Sequence, residues 1–223
     1  MLRGLFVTGT DTGVGKTVVA AALMRRFGAD APLRYWKPIQ TGIEQDDDTA
    51  EVGRLGDCSD RLWTEGVRLP RPVSPHLAAR LMNVSIGLDP LLAAVRTISD
   101  RMPATRWIVE GAGGVLVPIN ESETMADLMR GLGLPLVVVA RSSLGTINHT
   151  LLTLEALRRR ALDVAGVVMV GEPDRDNRAA IEHYGQVRVL GELPCLRPMT
   201  PEVLGRWTVS SLDPDGHLLK ALR

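Results

Sequence analysis

The chain has 223 residues, of which 45% are hydrophobic, and its 26 Lys and Arg residues balance 26 Asp and Glu. This balance argues against nucleic acid or an anionic membrane as the main partner, and no apolar run approaches the roughly 20 residues that a membrane-spanning helix needs. The cysteines are too few for a disulfide framework, and the N-terminus leads straight into a strand with no room for a signal peptide, so we expect a cytoplasmic protein.

Short apolar runs alternate with helical patterns along the chain. The predicted strands are Leu5–Thr8, Leu33–Lys37, Trp107–Glu110, Leu136–Ala140, Ala165–Val170 and Val187–Leu190. The predicted helices are Lys16–Phe27, Thr49–Leu55, Pro75–Met82, Pro90–Asp100, Met125–Leu132, Thr146–Arg160, Asn177–Tyr184 and Asp215–Leu222. This alternation predicts one α/β domain over residues 1–223, with a doubly wound, mostly parallel sheet and helices on both faces. Ligands of such sheets bind at the carboxyl ends of the strands.

A glycine-rich turn joins the first predicted strand to the first predicted helix. Residues 8–17 read Thr-Gly-Thr-Asp-Thr-Gly-Val-Gly-Lys-Thr, in the strand–loop–helix context of a phosphate-binding loop. Backbone N–H groups at such a helix start point at an anion, Lys16 can reach the β- and γ-phosphates, and the Thr17 hydroxyl can bind Mg²⁺. The strict motif has glycine where this chain has Thr10, so the loop is a variant. The alternative is a glycine-rich turn without a ligand; the context favours a fold of the P-loop NTPase type.

Two polar segments follow the second predicted strand. That strand ends at Lys37, which could face the phosphate side of the sheet or extend along the surface into solvent. Residues 45–49 then place Asp46–Asp48 before a short helix. Such a run is most often a solvated helix N-terminus, but beside a phosphate-side loop one aspartate could face Mg²⁺ instead.

The third predicted strand ends in a carboxylate, Glu110, followed by a glycine-rich segment. A carboxylate at that place in a phosphate-loop sheet usually faces the metal or its waters. The glycines beyond it, which include Gly111 and Gly114, let the backbone come close to a ligand. The alternative is a glycine-rich turn with an exposed glutamate, which the apolar run before Glu110 makes less favourable.

Residues 142–149 close the fourth predicted strand and open the longest predicted helix. Free N–H groups at that helix start could hold a substrate carboxylate. An N-cap by Ser143 or Thr146 would explain the hydroxyls equally well. The histidines show no metal-ligand spacing, and we assign them no catalytic role.

Six motifs occur in one order along residues 5–194. They are Gly9-Thr10-Asp11-Thr12-x-Val14-Gly15-Lys16-Thr17, Lys37-Pro38-x-x-Thr41-Gly42, Ser74-Pro75-His76, Glu110-Gly111-Ala112-Gly113-Gly114, Leu144-Gly145-x-x-Asn148-His149 and Leu190-Gly191-Glu192-Leu193-Pro194. Each motif is weak alone, but the six together resemble the dethiobiotin synthetase family, including its displaced loop glycine.

The resemblance implies a homodimeric, Mg²⁺- and ATP-dependent ligase of biotin synthesis. Such an enzyme carboxylates 7,8-diaminopelargonic acid with CO₂ and closes the ureido ring, giving dethiobiotin, ADP and phosphate. By similarity, the catalytic residues would be Lys16, Lys37, Thr12 and Thr41, and Mg²⁺ would bind Thr17, Asp48 and Glu110. The nucleotide would meet Thr12, Gly13, Val14, Gly15, Lys16, Thr17, Gly171 and Pro194. The substrate would meet Thr41, Gly111 and Gly114, and its far carboxylate would meet Gly145, Thr146 and Asn148 of the partner subunit.

The chain departs from the family pattern at three places. Gly13 stands where many relatives carry glutamate, and Thr41 replaces the more usual serine. Relatives that read adenine do so with an asparagine after a late strand. In this chain residues 169–174 contain no asparagine, and the first one after them is Asn177. The last departure predicts weak discrimination between ATP and other nucleoside triphosphates.

Two other functional classes use the same fold. Nucleotide-switched ATPases that partition DNA or position division carry a signature lysine where this chain has Asp11. They also usually have a basic surface or an amphipathic membrane tail. A synthetase related to cobyrinate amidation would need a glutamine-hydrolysing domain with a nucleophilic cysteine. The motif set favours the ligase over both.

Overall fold

The structure, a computed structural model, describes residues 2–222 as strands that alternate with helices. The strands are β1 (Gly4–Gly9), β2 (Leu33–Trp36), β3 (Ile39–Thr41), β4 (Leu62–Trp63), β5 (Val67–Leu69), β6 (Arg106–Gly114), β7 (Leu136–Arg141), β8 (Val164–Val170) and β9 (Val189–Leu193). The helices are α1 (Lys16–Phe27), α2 (Asp48–Gly56), α3 (Pro75–Leu81), α4 (Leu88–Arg101), α5 (Met125–Leu132), α6 (Thr146–Arg158), α7 (Arg175–Gly185), α8 (Pro201–Ser211) and α9 (His217–Leu222).

A seven-stranded parallel sheet in the order β4-β2-β6-β1-β7-β8-β9 forms the centre of the fold, and β3 and β5 form a separate parallel pair. The strand β1 lies between β6 and β7, with Val7 paired to both Glu110 and Val137. The strand β2 lies on the other side of β6. The carboxyl ends of β2, β6, β1 and β7 therefore meet at one edge. The predicted doubly wound parallel sheet is confirmed.

Two apolar layers cover the faces of the sheet. Phe6 packs in the layer that contains residues of α3–α7, whereas Leu5 and Val7 pack in the layer that contains α1, α2, α8 and α9. Alternation of this kind follows from the pleat of a strand, whose successive side chains point to opposite faces. Residues 136–140 of β7 are fully buried, as predicted for a strand covered on both faces.

Several predicted boundaries are wrong, and each error has a local cause. The second predicted strand, Leu33–Lys37, ends one residue earlier at Trp36, and Pro38, which has no N–H to donate to a ladder, separates it from the next short strand. Ile39–Thr41 therefore leaves the main sheet and pairs with β5. The third strand does not end at Glu110 but continues to Gly114, because glycine-rich backbone still pairs with β1 at Gly9. The strand predicted at Val187–Leu190 lies at Val189–Leu193, and β3, β4, β5 and α8 were not predicted.

Over residues 2–222, none of the helices combines the length and the apolar character that crossing a membrane requires.

Candidate active site

The phosphate loop leads into the start of α1, where no side chain accepts a hydrogen bond from the backbone N–H groups. Gly15, the N-cap of α1, has φ 98°, and no side chain caps the helix. Lys16 is 7% exposed, and its Nζ donates to the Asp11 carbonyl oxygen at 2.9 Å. Burial lowers the pKa of Lys16 to about 8, against the opposing charge of Glu110. The loop therefore offers backbone N–H donors to an anion. Burial disfavours the charged form of Lys16, and an anion bound beside it would stabilise that charged form.

Asp11 ties the loop to the end of β7. Its Oδ1 accepts from the Thr12 N–H at 2.7 Å, and its Oδ2 lies 3.0 Å from Arg141 Nη2. The two side chains are 55% and 42% exposed, so this ion pair adds little stability. Its effect is local: it restrains the segment whose backbone carbonyl holds Lys16.

Four side chains from separate elements converge beside the loop. Lys37 Nζ lies 2.6 Å from Asp48 Oδ2 and 2.7 Å from Glu110 Oε1. The Thr17 hydroxyl lies 2.8 Å from Asp48 Oδ1 and 3.1 Å from the same Glu110 Oε1. The residues predicted to bind Mg²⁺ are thus together, and one ammonium group bridges the two carboxylates.

Burial and charge act in opposite directions in this cluster. Lys37 is 3% exposed and Glu110 is fully buried, which excludes both the surface lysine and the exposed glutamate considered from the sequence. Burial favours neutral Lys37, but the charges of Glu110 and then Asp48 outweigh it, so the pKa of Lys37 is raised. Burial would raise the pKa of Asp48, but Lys37 outweighs it and the pKa is lowered. Lys37 therefore remains an ammonium group and is not a proton acceptor at neutral pH.

Two neighbouring residues of the acidic run, Asp47 and Asp48, make different contacts. Asp47 is the N-cap of α2, and its Oδ1 accepts from the N–H groups of Thr49 and Ala50. Asp48 is the first residue of that helix, and its carboxylate faces Thr17 and Lys37. The helix-start interpretation thus describes Asp47, whereas Asp48 is the aspartate of the run that faces the cluster beside the phosphate loop. Buried Gln40 donates to the Asp46 carbonyl oxygen at 2.7 Å and holds the run in place.

Three supporting contacts behind the cluster could not be read from motifs. The hydroxyl of fully buried Tyr35 donates to Glu110 Oε2 at 2.8 Å. Burial, and then the charge of Glu110, raises the pKa of Tyr35, which therefore stays a hydrogen-bond donor. Arg68 Nη1 donates to the Lys37 carbonyl oxygen at 2.8 Å. The Lys37 ammonium also lies 3.5 Å from the Gly111 carbonyl oxygen.

The cluster forms one wall of an open cleft of about 990 Å³. The predicted site residues that line it are Thr12, Gly13, Gly15, Lys16, Thr17, Lys37, Thr41, Asp48 and Glu110. Pro72–Pro75 and Arg54 also line the cleft, although they were not predicted as site residues. A signal for the first of these was the long Pro/Arg-rich connection before α3. At Gly13 an added Cβ would meet nothing within 4 Å, so the place of the relatives' glutamate is open cleft.

Other predicted residues lie outside this lining. Val14 is 3% exposed and packs in the apolar layer under the loop. The lining at the end of β6 includes Ala112 and Gly113 but not Gly111 or Gly114. The helix α6 begins at Thr146, and neither Gly145 nor Asn148 lines the cleft of its own chain.

Of the two alternatives considered for the start of α6, the structure excludes the side-chain cap by Ser143 or Thr146. Gly145 is the N-cap, in the left-handed region at φ 92°, and no side chain bonds the helix start. Thr146 cannot be the cap because it is already helical, and its buried Oγ1 has no hydrogen-bond partner among the residues described. Leu144, directly before the cap, is fully exposed. The Thr146 N–H donates to the Ser143 carbonyl oxygen at 3.1 Å, so the N–H groups of the next two residues, Ile147 and Asn148, are the ones left for another acceptor.

The ends of β8 and β9 meet on the other side of the phosphate loop. The Gly171 N–H donates to the Leu193 carbonyl oxygen at 2.9 Å, which brings Gly171 near Pro194. Gly171 has φ +132°, and an added Cβ would lie 2.3 Å from Ser142 Oγ, so the position takes no side chain. Asn177 Nδ2 already donates to the Ser142 carbonyl oxygen and to Asp174 Oδ2, both at 2.9 Å. Its amide is therefore committed within the protein.

A second groove, of about 1180 Å³, lies near the carboxyl end of α1. Its arginines include Arg25 and Arg61, which lie 3.8 Å from Asp57 and Asp60 respectively. It contains no part of the phosphate loop. We place the functional site in the first cleft, where buried opposite charges and helix N–H groups converge.

The side chains predicted to bind a metal present oxygen atoms throughout. Within residues 2–222 no group of three or more His, Cys, Asp or Glu side chains is placed to hold a metal ion. The donor set beside the loop is instead one hydroxyl and two carboxylates, from Thr17, Asp48 and Glu110. Hard oxygen donors next to a phosphate site suit Mg²⁺, which takes few protein ligands and shares the phosphates.

Comparison with known proteins gives consistent sequence matches. A family model described as an AAA domain matches residues 3–203. The ATP-dependent dethiobiotin synthetase BioD of Paramagnetospirillum magneticum is 51% identical over 213 residues, which are 96% of each chain. The protein of the same name from Agrobacterium fabrum is 49% identical over 89% of each chain. The biotin biosynthesis bifunctional protein BioCD of Bordetella avium is 48% identical over 92% of this chain and 42% of its own length.

Solved structures share the fold at low identity. A ParA family ATPase from Chlorobium tepidum has a TM-score of 0.59 and 11% identity, over 93% of this chain and 98% of its own. The signal recognition particle receptor FtsY of Elizabethkingia anophelis has a TM-score of 0.57 and 13% identity, over all of this chain and 66% of its own. Identities this low show the fold alone.

Proposed function

The chain belongs to the family of ATP-dependent dethiobiotin synthetases, and we propose that the cleft beside the phosphate loop is its active site. The chain is a ligase of biotin biosynthesis that uses ATP. One observation supports the proposed site most strongly. Thr17, Lys37, Asp48 and Glu110 converge where the loop presents its free N–H groups. We assign the reaction to one domain, residues 1–223, and to the cytoplasm, where ATP is available.

The proposed substrate is 7,8-diaminopelargonic acid, which reacts with CO₂ and ATP. One amine takes up CO₂ to give a carbamate, and the γ-phosphoryl group of ATP passes to a carbamate oxygen to give a mixed anhydride. The second amine then attacks the carbamate carbon, closes the ureido ring and expels phosphate. Each stage places negative charge in the cleft, so the chain must supply cations and N–H donors there.

Lys37 is the proposed electrostatic catalyst. Because its pKa is raised, it stays charged and cannot remove a proton. Its charge, with that of Lys16, favours the neutral form of a nearby substrate amine, and only the neutral amine can attack CO₂. The same charge stabilises the carbamate and the transferring phosphoryl group.

The loop residues are the proposed phosphate ligands. The N–H groups before and within the first turn of α1 point toward an anion, and Lys16 lies among them. A bound phosphate would replace the Asp11 carbonyl as the partner of the Lys16 ammonium and favour its charged form. Thr12 and Thr41, which both line the cleft, are the residues proposed to orient the diamine and the carbamate.

Thr17, Asp48 and Glu110 are the residues that would hold Mg²⁺. They fit it because they bring three oxygen donors together beside the phosphate loop. When bound, Mg²⁺ supplies charge neutralisation for the phosphate oxygens of the nucleotide.

The proposed enzyme is a homodimer whose active site uses both subunits. The uncapped start of α6 offers N–H groups to a carboxylate, yet it does not line the cleft of its own chain. A second copy that covers Leu144 would bury this fully exposed apolar side chain and could bring α6 to the far end of the substrate. We therefore assign the substrate's far carboxylate to Gly145, Thr146 and Asn148 of the opposite subunit.

The reaction is tested by incorporation of labelled bicarbonate into acid-stable product. We expect incorporation only when diaminopelargonate, Mg²⁺ and ATP are all present, because a carbamate that is not closed into the ring is lost in acid. A Lys37→Ala control should fall by about 100-fold or more while it still binds nucleotide. Absence of incorporation by folded wild-type enzyme would refute the proposed reaction.

The base-binding region predicts weak nucleotide selectivity. A side chain at Gly171 would be strained and the Asn177 amide is committed within the protein, so neither position offers a side-chain amide to read adenine. We expect kcat/KM for ATP and for other nucleoside triphosphates, measured side by side, to agree within about tenfold. A large preference for ATP would contradict this expectation.

Mixed dimers test the shared site. Lys37→Ala and Asn148→Ala place their lesions on opposite sides of each proposed site, so a dimer with one of each retains one intact site. After subunit exchange, a mixture of two inactive variants should recover about a quarter of wild-type activity. A mixture no more active than its components would argue for sites within single chains.

A further inference from the structure

Glu110 has two oxygens with different surroundings. Oε1 accepts from Lys37 Nζ at 2.7 Å and from Thr17 Oγ1 at 3.1 Å. Oε2 points the other way and accepts from the Tyr35 hydroxyl at 2.8 Å. The carboxylate is fully buried, so neither oxygen can turn to bulk water for a replacement donor.

The Glu110–Tyr35 contact is built from two adjacent strands. Tyr35 on β2 pairs in register with Ile108 on β6, two residues before Glu110. Tyr35 packs in the apolar layer that contains α1 and α2, with no exposed surface. A phenol in this position directs its only polar atom at the carboxylate. Its ring is fixed by packing, so the hydroxyl is fixed as well.

The terminal torsion of a glutamate is soft and roughly two-fold, so a carboxylate needs a donor on each side to hold one orientation. A buried carboxylate oxygen that loses its donor is destabilised, so loss of the phenol would drive the group to rotate. Rotation would disturb the oxygen shared by Lys37 and Thr17.

We propose that Tyr35 is a positioning residue of the active site, whose hydroxyl holds Glu110 Oε2 so that Oε1 stays toward Thr17, Lys37 and the metal. This inference rests on the proposed role of Glu110 beside Mg²⁺. Partners of this kind behind a metal ligand commonly change metal affinity by about 10–100-fold.

The test compares the chain's two tyrosines. Mn²⁺ binding in the presence of saturating ADP is measured by electron paramagnetic resonance for wild type, Tyr35→Phe and Tyr184→Phe. Tyr184 is 69% exposed and serves as the matched control. We expect the Kd for Mn²⁺ to rise about tenfold in Tyr35→Phe and to stay unchanged in Tyr184→Phe. The KM for Mg²⁺ should rise in parallel.

A purely structural role gives a different result. In that case Tyr35→Phe lowers the melting temperature but binds Mn²⁺ with wild-type affinity, which overturns the inference. If wild-type enzyme with ADP binds no Mn²⁺, the proposed metal site itself fails, so the two failures are distinguishable.

A second measurement keeps the hydroxyl groups of both tyrosines in case Tyr35→Phe does not fold. Enzyme grown with 3-fluorotyrosine should give two ¹⁹F resonances. Saturation with Mg²⁺ and ADP should shift the Tyr35 resonance more than that of Tyr184. A Tyr35 resonance that does not move, in enzyme shown to bind both ligands, overturns the inference.

Discussion

The ion pair between Lys37 and Glu110 is the interaction on which the site depends. The two groups are 2.7 Å apart, with side chains 4% and 0% exposed. Taking both charges out of water costs several kcal/mol, and their attraction repays that cost only when further hydrogen bonds complete the geometry. Tyr35, Thr17 and Asp48 supply those bonds. The cluster therefore forms as a unit, and the requirement explains why so many elements contribute to it.

The sheet order makes this convergence possible. Glu110 lies on β6 between β1, which leads to Lys16 and Thr17, and β2, which carries Tyr35 and leads to Lys37. Only Asp48 comes from outside these strands, and its helix is fixed by the Asp47 cap. Lys37, Glu110 and the phosphate loop therefore lie at the same edge of the parallel sheet. This is the carboxyl edge, where α/β sheets bind their ligands. The fold is shared with a ParA family ATPase, and a fold alone does not define a function, so the function is inferred from these side chains.

Much of this arrangement could be predicted from local sequence. The start of α1 at Lys16 and the continuously apolar strand at 136–140 have strong local signals, and both are confirmed. The motifs also identified the residues that converge. They follow predicted strands, and the carboxyl ends of parallel strands lie at one edge of the sheet. The support could not be predicted. Tyr35 reads as an ordinary core residue, and only the register of β2 against β6 shows that its hydroxyl reaches Glu110. The short strands β3–β5 could not be predicted, because runs of two or three residues are too short to show the alternation of apolar and polar residues.

We infer that this buried pair is retained for chemistry rather than stability. A double-mutant cycle with Lys37→Met and Glu110→Gln, read by chemical denaturation and by turnover, tests it most directly. Lys37→Met leaves the buried Glu110 carboxylate unpaired and should lower the free energy of unfolding by about 3–5 kcal/mol. The double variant should recover most of that stability without recovering turnover. If the two stability losses simply add, or if the double variant turns over substrate, the pair does not have the role assigned to it.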